Sequence, residues 1–552
     1  MKIWSDILFS CRSDHDGSVL ILEKKRKDVV PKEPEPTGDC SLISPSSSSF
    51  ACHSSDLNSS LWECDDSPDD SGISNRSEIL PVSPSRAPDT LNQYELTHLA
   101  SQRLQRASSL HLQPCDETHW LICNPLEGGH IAAIDSDVRD VLEYFTQPTT
   151  PREAATDANV PLARLLPVAF VLLHLSFLHN PSLPSLARAT PGETTLSAWL
   201  HITNACNLSC PACYIAKSSE HMEQRTTQQS IDAIIRSAVI HGYKHIFLRY
   251  AGGEAMLRFS QVLAAHDYAA QQAQERHITL SALLLSNGSI MTQRMIEQMK
   301  ERRIRVMISL DGVGAIHDQQ RPFRNGQAGS FALADRTVAR LLANGLPPSI
   351  NATVSQRTIP HIQALLAYIL ERDLRFNLSY YRETKYTASL SDLRFAEDQM
   401  ICNMQAVFAW LEQELPRQRI IDGLLDKASM QVPHQHACGV GRNYLVINQR
   451  GEVSRCQADM KHAVTTIHAH DILREVQQAR AGPLAVAVEE KEGCRSCTWR
   501  AWCAGGCPLV TYRATGRNDL RSPNCAIYQA LFPLVVRLEA LRLLTYQIPF
   551  SL

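Results

Sequence analysis

Ten of the 17 cysteines in this 552-residue chain fall into two tight patterns, the arrangement expected of metal ligands. The first is the segment HITNACNLSCPACY, in which Cys206, Cys210 and Cys213 have the spacing C-x3-C-x2-C. Pro211 and Asn207 oppose a regular helix, so the segment is expected to be a loop that can wrap three thiolates around one compact object. A cubane iron–sulfur cluster has four irons and normally takes four cysteines. Three would leave one iron open to an exogenous ligand, and an open position implies catalysis more than scaffolding. The alternative is zinc, which needs a fourth ligand. His201 is near in sequence, but as a strand residue it need not face the thiolates.

The second pattern lies toward the C-terminus: Cys438, then Gly451-x4-Cys456, then Cys494-x2-Cys497-x5-Cys503-x3-Cys507, and finally Cys525. Seven ordered cysteines are too many for one cluster or one zinc, so two metal sites fit, as iron–sulfur clusters or as structural zincs. Trp499, Trp502 and Gly505-Gly506 are expected to shield and shape the loop. The other seven cysteines (Cys11, Cys40, Cys52, Cys64, Cys115, Cys123 and Cys402) show no such spacing and read as ordinary thiols.

The elements that must position these residues alternate strand and helix. Strands are expected at Leu196–Thr203, His245–Ala251, Ile278–Ser286, Arg305–Leu310, Ser349–Val354 and Arg375–Tyr381, with helical periodicity in segments such as Gln228–His241 and Phe331–Asn344. Repeated β–α units mean a parallel sheet. The predicted fold class is α/β, a partial (β/α)6 TIM barrel over 194–390 with its chemistry at the carboxyl ends of the strands. A bridging helical region follows over 391–430, and a Cys-rich module organised by metal over 431–552. Ahead of the barrel, 91–180 reads as three short strands (LHLQPC, HWLICNP, GHIAAID) and three helices, the first capped by Ser136 and the second with Pro151 in its first turn. That order is expected to make a winged-helix unit. Residues 181–193 form a Pro-rich linker. Residues 1–90 are rich in Ser, Pro and Asp and are expected to be mostly disordered, with a short strand within Ile3–Leu22.

Net charge is −3, with no broad basic field to argue for nucleic acid. The longest apolar stretch, Leu165–Leu178, is shorter than the roughly 20 residues of a membrane span and reads as a buried helix. No secretory signal is visible, so a disulfide framework is not expected and the location is expected to be cytoplasmic.

At Cys206, Cys210 and Cys213 the chain resembles the radical S-adenosylmethionine superfamily. The resemblance implies a [4Fe–4S] cluster whose open iron binds the amino and carboxylate groups of S-adenosylmethionine and yields a 5′-deoxyadenosyl radical. Gly252, Gly253 and Glu254 resemble the segment that binds the methionine amino group. Two glycines would let backbone approach the ligand, and a carboxylate would offset the ammonium. Ser286-Asn287-Gly288 and Ser309-Leu310-Asp311-Gly312 resemble segments lining the cofactor pocket, where Asn287 and Ser309 would hydrogen-bond the ribose or carboxylate. The stretch His317–Gly326 resembles a loop of peptide-modifying members, in which Arg321 would hold a carboxylate. Ala212 stands where many members carry an aromatic against the adenine, and Tyr214 follows the third cysteine directly. The C-terminal array resembles the twin auxiliary-cluster module named SPASM. That resemblance assigns Cys438, Cys456 and Cys507 to one cubane and Cys494, Cys497, Cys503 and Cys525 to another. Gly439–Val446 holds no eighth cysteine, which leaves an iron of the first auxiliary cluster open. The 91–180 unit resembles the peptide chaperone of pyrroloquinoline quinone biosynthesis and the leader-peptide recognition domains fused to peptide-modifying enzymes.

Taken together, these resemblances imply an enzyme that modifies a ribosomally made precursor peptide by a crosslink, a thioether or a side-chain oxidation. Its electrons would come from an external reductant such as flavodoxin or ferredoxin. Two other readings are an anaerobic sulfatase maturase that forms formylglycine, and a non-catalytic iron–sulfur scaffold or electron carrier.

Overall fold

Alternating strand and helix patterns build one continuous sheet. The structure is a computed structural model and describes residues 8–13, 19–25, 93–127, 129–183, 194–327, 329–384 and 386–546. Most of the Ser/Pro/Asp-rich segment and most of the Pro-rich linker lie outside the described residues. Strands Thr195–Thr203, His245–Gly252, Thr279–Ser286, Ile304–Ser309, Ser349–Val354 and Phe376–Tyr380 run parallel, each hydrogen-bonded to the next in chain order. Helices Gln224–His241, Phe259–Gln274, Gln293–Glu301, Ser330–Ala343 and Ile362–Glu371 separate them. Their apolar stripes, such as Ile231, Ile234, Ile235 and Ala238, join Leu196, Ala198, Leu200 and Ile202 of the first strand in one core. Sequential parallel order is the topology expected for a partial barrel, and it places all six carboxyl ends on one rim.

The boundary expected near residue 431 does not interrupt the sheet. Strand Tyr444–Ile447 pairs in parallel with Thr195–Thr203, and the short strands Glu452–Ser454 and Thr465–Thr466 extend that edge antiparallel. The Cys-rich module therefore continues the barrel sheet and shares its core.

The N-terminal unit has the expected strands, His111–Pro114, His119–Cys123 and Ile131–Asp135, paired antiparallel. Helices Ser136–Glu143, Pro151–Asp157 and Leu162–His174 follow, and a helix not anticipated, Gln93–Ser101, precedes them. Where one strand was expected within Ile3–Leu22 there are two, Leu8–Ser13 and Val19–Lys25, and the second lies parallel to Ile131–Asp135. The first cap is also corrected. Asp135, not Ser136, caps the helix, its Oδ1 accepting from the Val138 amide at 2.9 Å. A carboxylate at a helix N-terminus gains from the dipole as well as from the hydrogen bond. The second helix opens as expected on Pro151, behind a Thr150–Glu153 capping box.

Strand alternation gives this small sheet two buried faces. Ile122, Ala132 and Ile134 pack with the helices of the unit, whereas Leu121, Cys123, Ile131 and Ala133 join the main core. The C-terminal helix Cys525–Tyr546 covers that second face. Arg537 Nη1 donates to the Pro114 and Cys115 carbonyls at 3.1 and 2.9 Å, and Gln113 Nε2 donates to the Pro533 carbonyl at 3.2 Å. On the same helix, Glu539 is 1% exposed and shared by two guanidinium groups, Arg419 at 3.2 Å and Arg542 at 2.8 Å. Removing the Glu539 charge takes a buried carboxylate from two guanidinium groups at once, although Arg419 keeps Asp422 at 2.9 Å. Glu539→Gln is expected to destabilise the chain by about 3–5 kcal/mol, measured by denaturant unfolding. An unchanged midpoint would show that the triad does not tie the bridging region to this helix.

Candidate functional site

The first strand ends at Thr203, and the chain turns at once into the three-cysteine loop. Thr203 Oγ1 accepts from the Ala205 amide at 3.1 Å and donates to the Glu220 carbonyl at 3.1 Å, which sets the turn. His201 is fully buried, its Nε2 2.8 Å from Asn204 Oδ1, so it faces the base of the loop. The far side of the loop is pinned to the segment after the fourth strand: the Ser209 amide donates to the Pro322 carbonyl at 2.8 Å and the Arg324 amide to the Asn207 carbonyl at 3.0 Å.

Gly252 and Gly253 do something more local than the sequence suggests. The Gly253 amide donates to the Thr203 carbonyl at 2.6 Å and the Glu254 amide to the Ala205 carbonyl at 2.8 Å. A Cβ on Gly253 would lie 2.4 Å from the Ala205 carbonyl oxygen and 2.6 Å from that of Asn204. The glycines let the end of the second strand touch the backbone of the cysteine loop. Glu254, buried, accepts from the Met256 amide (3.0 Å), Ser286 Oγ (2.9 Å) and the Asn287 amide (2.7 Å). Burial raises its pKa against the pull of those donors. Its carboxylate thus locks the second strand end to the third, and one of its roughly four lone-pair sites stays free.

Asn287 is likewise spent in place. Its Nδ2 donates to Asn207 Oδ1 at 2.9 Å and its Oδ1 accepts from the Ser289 amide at 2.9 Å, so it caps its own turn and clamps the cysteine loop. Ser309 ends the fourth strand, half-buried and in register with Asn351. Arg321 does hold a carboxylate, and it is this chain's own: Nε lies 2.7 Å from Asp311 Oδ2. That ion pair stands beside Cys210 and Cys213. Burial pushes the Cys210 thiol up, against Arg321 and Lys217. Cys206 rises to about 11, mainly through burial.

The seven C-terminal cysteines separate in space into two groups. Cys438, Cys456 and Cys507 act on one another electrostatically. Cys494, Cys497, Cys503 and Cys525 do the same and line one small cavity with Trp499, Tyr528 and Phe532. Trp499 stacks on Phe532 at 5.2 Å, which is the aromatic shielding expected of it. Burial raises Cys456 and Cys503 to about 12 and Cys494 to about 11, whereas Cys507 stands below an ordinary thiol. Burial pushes Cys507 up too, but Arg382 prevails, its Nε 3.3 Å from the sulfur. Arg382 is held in turn by Asp426 at 2.7 Å. Sequence reading missed Arg382 because its partners are 44 and 125 positions away. No local motif marks such a contact.

Among the described residues, no three His, Cys, Asp or Glu side chains converge to hold a single metal ion. Zinc would draw its thiolates in on bonds of about 2.3 Å, whereas a cubane of four irons and four sulfides takes its thiolates on a wider frame. The donor sets, all sulfur and largely buried, suit the second object. Between the first loop and the Cys456 group lies a cavity of about 920 Å3, lined by Tyr214, Tyr381, Arg382, Gln457 and Asp459 among others. Tyr214 directly follows Cys213, and its phenol is buried within electrostatic reach of both Cys213 and Cys456.

The sequence profile of the Radical SAM superfamily matches residues 200–361. This part of the chain is a radical SAM domain. Such domains use a [4Fe–4S] cluster and S-adenosylmethionine. Three curated proteins show how far the chain's likeness to known proteins extends. An uncharacterised protein of Methanocaldococcus jannaschii, MJ0907, is 26% identical over 172 residues, 31% of this chain and 57% of that protein. The cysteine-type anaerobic sulfatase-maturating enzyme of Clostridium perfringens is 20% identical over 344 residues, 55% of this chain and 86% of the enzyme. The sporulation killing factor maturation protein SkfB of Bacillus subtilis is 26% identical over 274 residues, 48% of this chain and 60% of SkfB. The chain thus spans less than two thirds of two of these relatives.

The radical SAM loop depends on close approach at Gly253. Gly253→Ala is expected to displace it and lower bound iron by about a third, four irons of twelve. Iron and sulfide analysis of anaerobically purified protein checks this, and a wild-type iron content would show that the approach is dispensable.

Proposed function

We propose that this chain is a radical S-adenosylmethionine enzyme that modifies a ribosomally made precursor peptide. One observation carries the reading. A three-cysteine loop follows the carboxyl end of the first barrel strand, and a large cavity beside it is lined by Tyr214, next to Cys213, and by Gln457, next to Cys456 of the second cysteine set. Cys206, Cys210 and Cys213 would hold a [4Fe–4S] cluster that, with S-adenosylmethionine bound, supplies a 5′-deoxyadenosyl radical. Cys438, Cys456 and Cys507 would hold one auxiliary cluster, and Cys494, Cys497, Cys503 and Cys525 another.

The chain's own groups then have distinct tasks. Arg321, neutralised by Asp311, keeps a guanidinium beside Cys210. Asn287, with the Gly252–Gly253 turn, fixes the loop, and the free lone pair of Glu254 and the Ser309 hydroxyl at the strand rim remain to meet a cofactor. Arg382 orients the Cys507 sulfur through its N–H donor. The cavity wall pairs much of its charge within itself, Arg450 on Glu220 and Arg513 on Asp459 at 3.3 Å. It therefore suits a peptide bound through polar contacts more than one drawn in by a single strong field. The N-terminal unit, packed on the C-terminal helix that starts in the auxiliary module, would present such a peptide, and an external one-electron donor would reduce the cluster.

Sulfatase-type maturation, an oxidation of one Cys or Ser in a protein, is a second reading favoured by the Clostridium relative. Reduced protein incubated with S-adenosylmethionine is expected to release 5′-deoxyadenosine, and the Cys206→Ala, Cys210→Ala, Cys213→Ala variant none above background. Zinc without acid-labile sulfide in the anaerobic protein would contradict the proposal. Mass spectrometry of a small peptide co-expressed with the enzyme separates the two readings. A mass change in that peptide supports the first, and formylglycine in a sulfatase supports the second.

A further inference from the structure

Lys491 is 1% exposed, among the most completely buried side chains in the protein. It follows a single turn, Val488–Glu490, and its backbone carbonyl accepts from the Cys494 amide at 3.1 Å. Its Nζ donates to the carbonyls of Ala504 and Gly505 at 3.2 and 3.4 Å. Among the described residues no carboxylate pairs with it. Burial disfavours its charge, and the groups that act in its favour are four thiols, Cys494 and Cys503 from one set and Cys438 and Cys507 from the other. An ammonium taken out of water without an anion costs several kcal/mol, so a sequence that buries one supplies the anion elsewhere.

The two carbonyls that hold Lys491 lie in the segment joining the cysteine sets. Cys503 belongs to one set and Cys507 to the other, with Ala504, Gly505 and Gly506 between them in left-handed conformation (φ 46°, 72° and 69°). A Cβ on Gly505 would stand 2.5 Å from Lys491 Cδ and 2.7 Å from Nζ, so glycine there lets the lysine lie across the loop. The nearby Arg382 is neutralised by Asp426, Lys427 acts on Cys438 and Cys507 of one set, and Arg521 acts on Cys494 and Cys525 of the other, whereas Lys491 acts on both sets. Four thiolates around a [4Fe–4S] core leave a net negative charge, and net charge is one of the determinants of a cluster's reduction potential.

We infer that Lys491 is a positioning residue of the auxiliary module, a fixed cation between the two cysteine sets that clamps the Ala504–Gly506 segment joining them and raises the reduction potentials of both auxiliary clusters together. The inference rests on the two-cluster reading above and adds a residue that ties the pair into one electron-accepting unit.

The test uses the full chain with Lys491→Gln, which removes the charge, and Lys491→Arg, which keeps it. Iron, sulfide and spin-resonance-monitored reduction midpoints are measured for each. Wild type should carry about twelve irons; four would sink the two-cluster reading itself and this inference with it. In Lys491→Gln both auxiliary midpoints should move negative while that of the Cys206/Cys210/Cys213 cluster stays put, and Lys491→Arg should return them toward wild type. Unmoved midpoints, a shift in one auxiliary cluster alone, or equal shifts in both variants would overturn the proposal. If Lys491→Gln loses auxiliary iron, Lys491→Arg decides. Retained iron with wild-type midpoints supports the charge, and loss in both variants refutes it.

Discussion

Two backbone hydrogen bonds hold the chemistry in place. The Gly253 amide on the Thr203 carbonyl and the Glu254 amide on the Ala205 carbonyl fasten the three-cysteine loop to the neighbouring strand end. Each is an ordinary peptide hydrogen bond, worth about 1 kcal/mol net. Their importance is geometric, because three short side chains can face one body only if the backbone carrying them is fixed. Glu254 and Asn287 extend the same fastening to the third strand, and Arg321 with Asp311 extends it to the fourth. Four consecutive strand ends therefore specify one loop.

The same economy joins the rest of the molecule. Because Tyr444–Ile447 adds to the barrel sheet beside the strand that bears the radical SAM loop, the second cysteine region is set against the first by main-chain pairing. The C-terminal helix begins at Cys525 of that region, and its middle packs beneath the N-terminal sheet. The N-terminal sheet is thus referenced, through rigid elements, to the auxiliary cysteine region.

Much of this was legible in the sequence because it is written locally. Period-two and helical patterns gave all six barrel strands to within a few residues, and cysteine spacing picked out thiols that lie near one another in the fold. What escaped was long-range or a matter of competition between neighbours. Asp135 and Ser136 are both good caps, and only the backbone turn decides between them. The glycine pair read as room for a ligand, yet it is the cysteine loop that fills that room. Arg382 and Lys491 meet cysteines that no motif links to them, and the strand joining barrel to auxiliary region is too short to stand out among loops.

The central claim is that Cys206, Cys210 and Cys213 hold a cluster with one iron free for S-adenosylmethionine. Electron–nuclear double resonance on the reduced cluster, with the seven C-terminal cysteines replaced and isotopically labelled S-adenosylmethionine added, tests it most directly. Hyperfine coupling from the labelled amino nitrogen and carboxylate oxygen to the cluster is the predicted result. A spectrum indifferent to the cofactor would contradict the account.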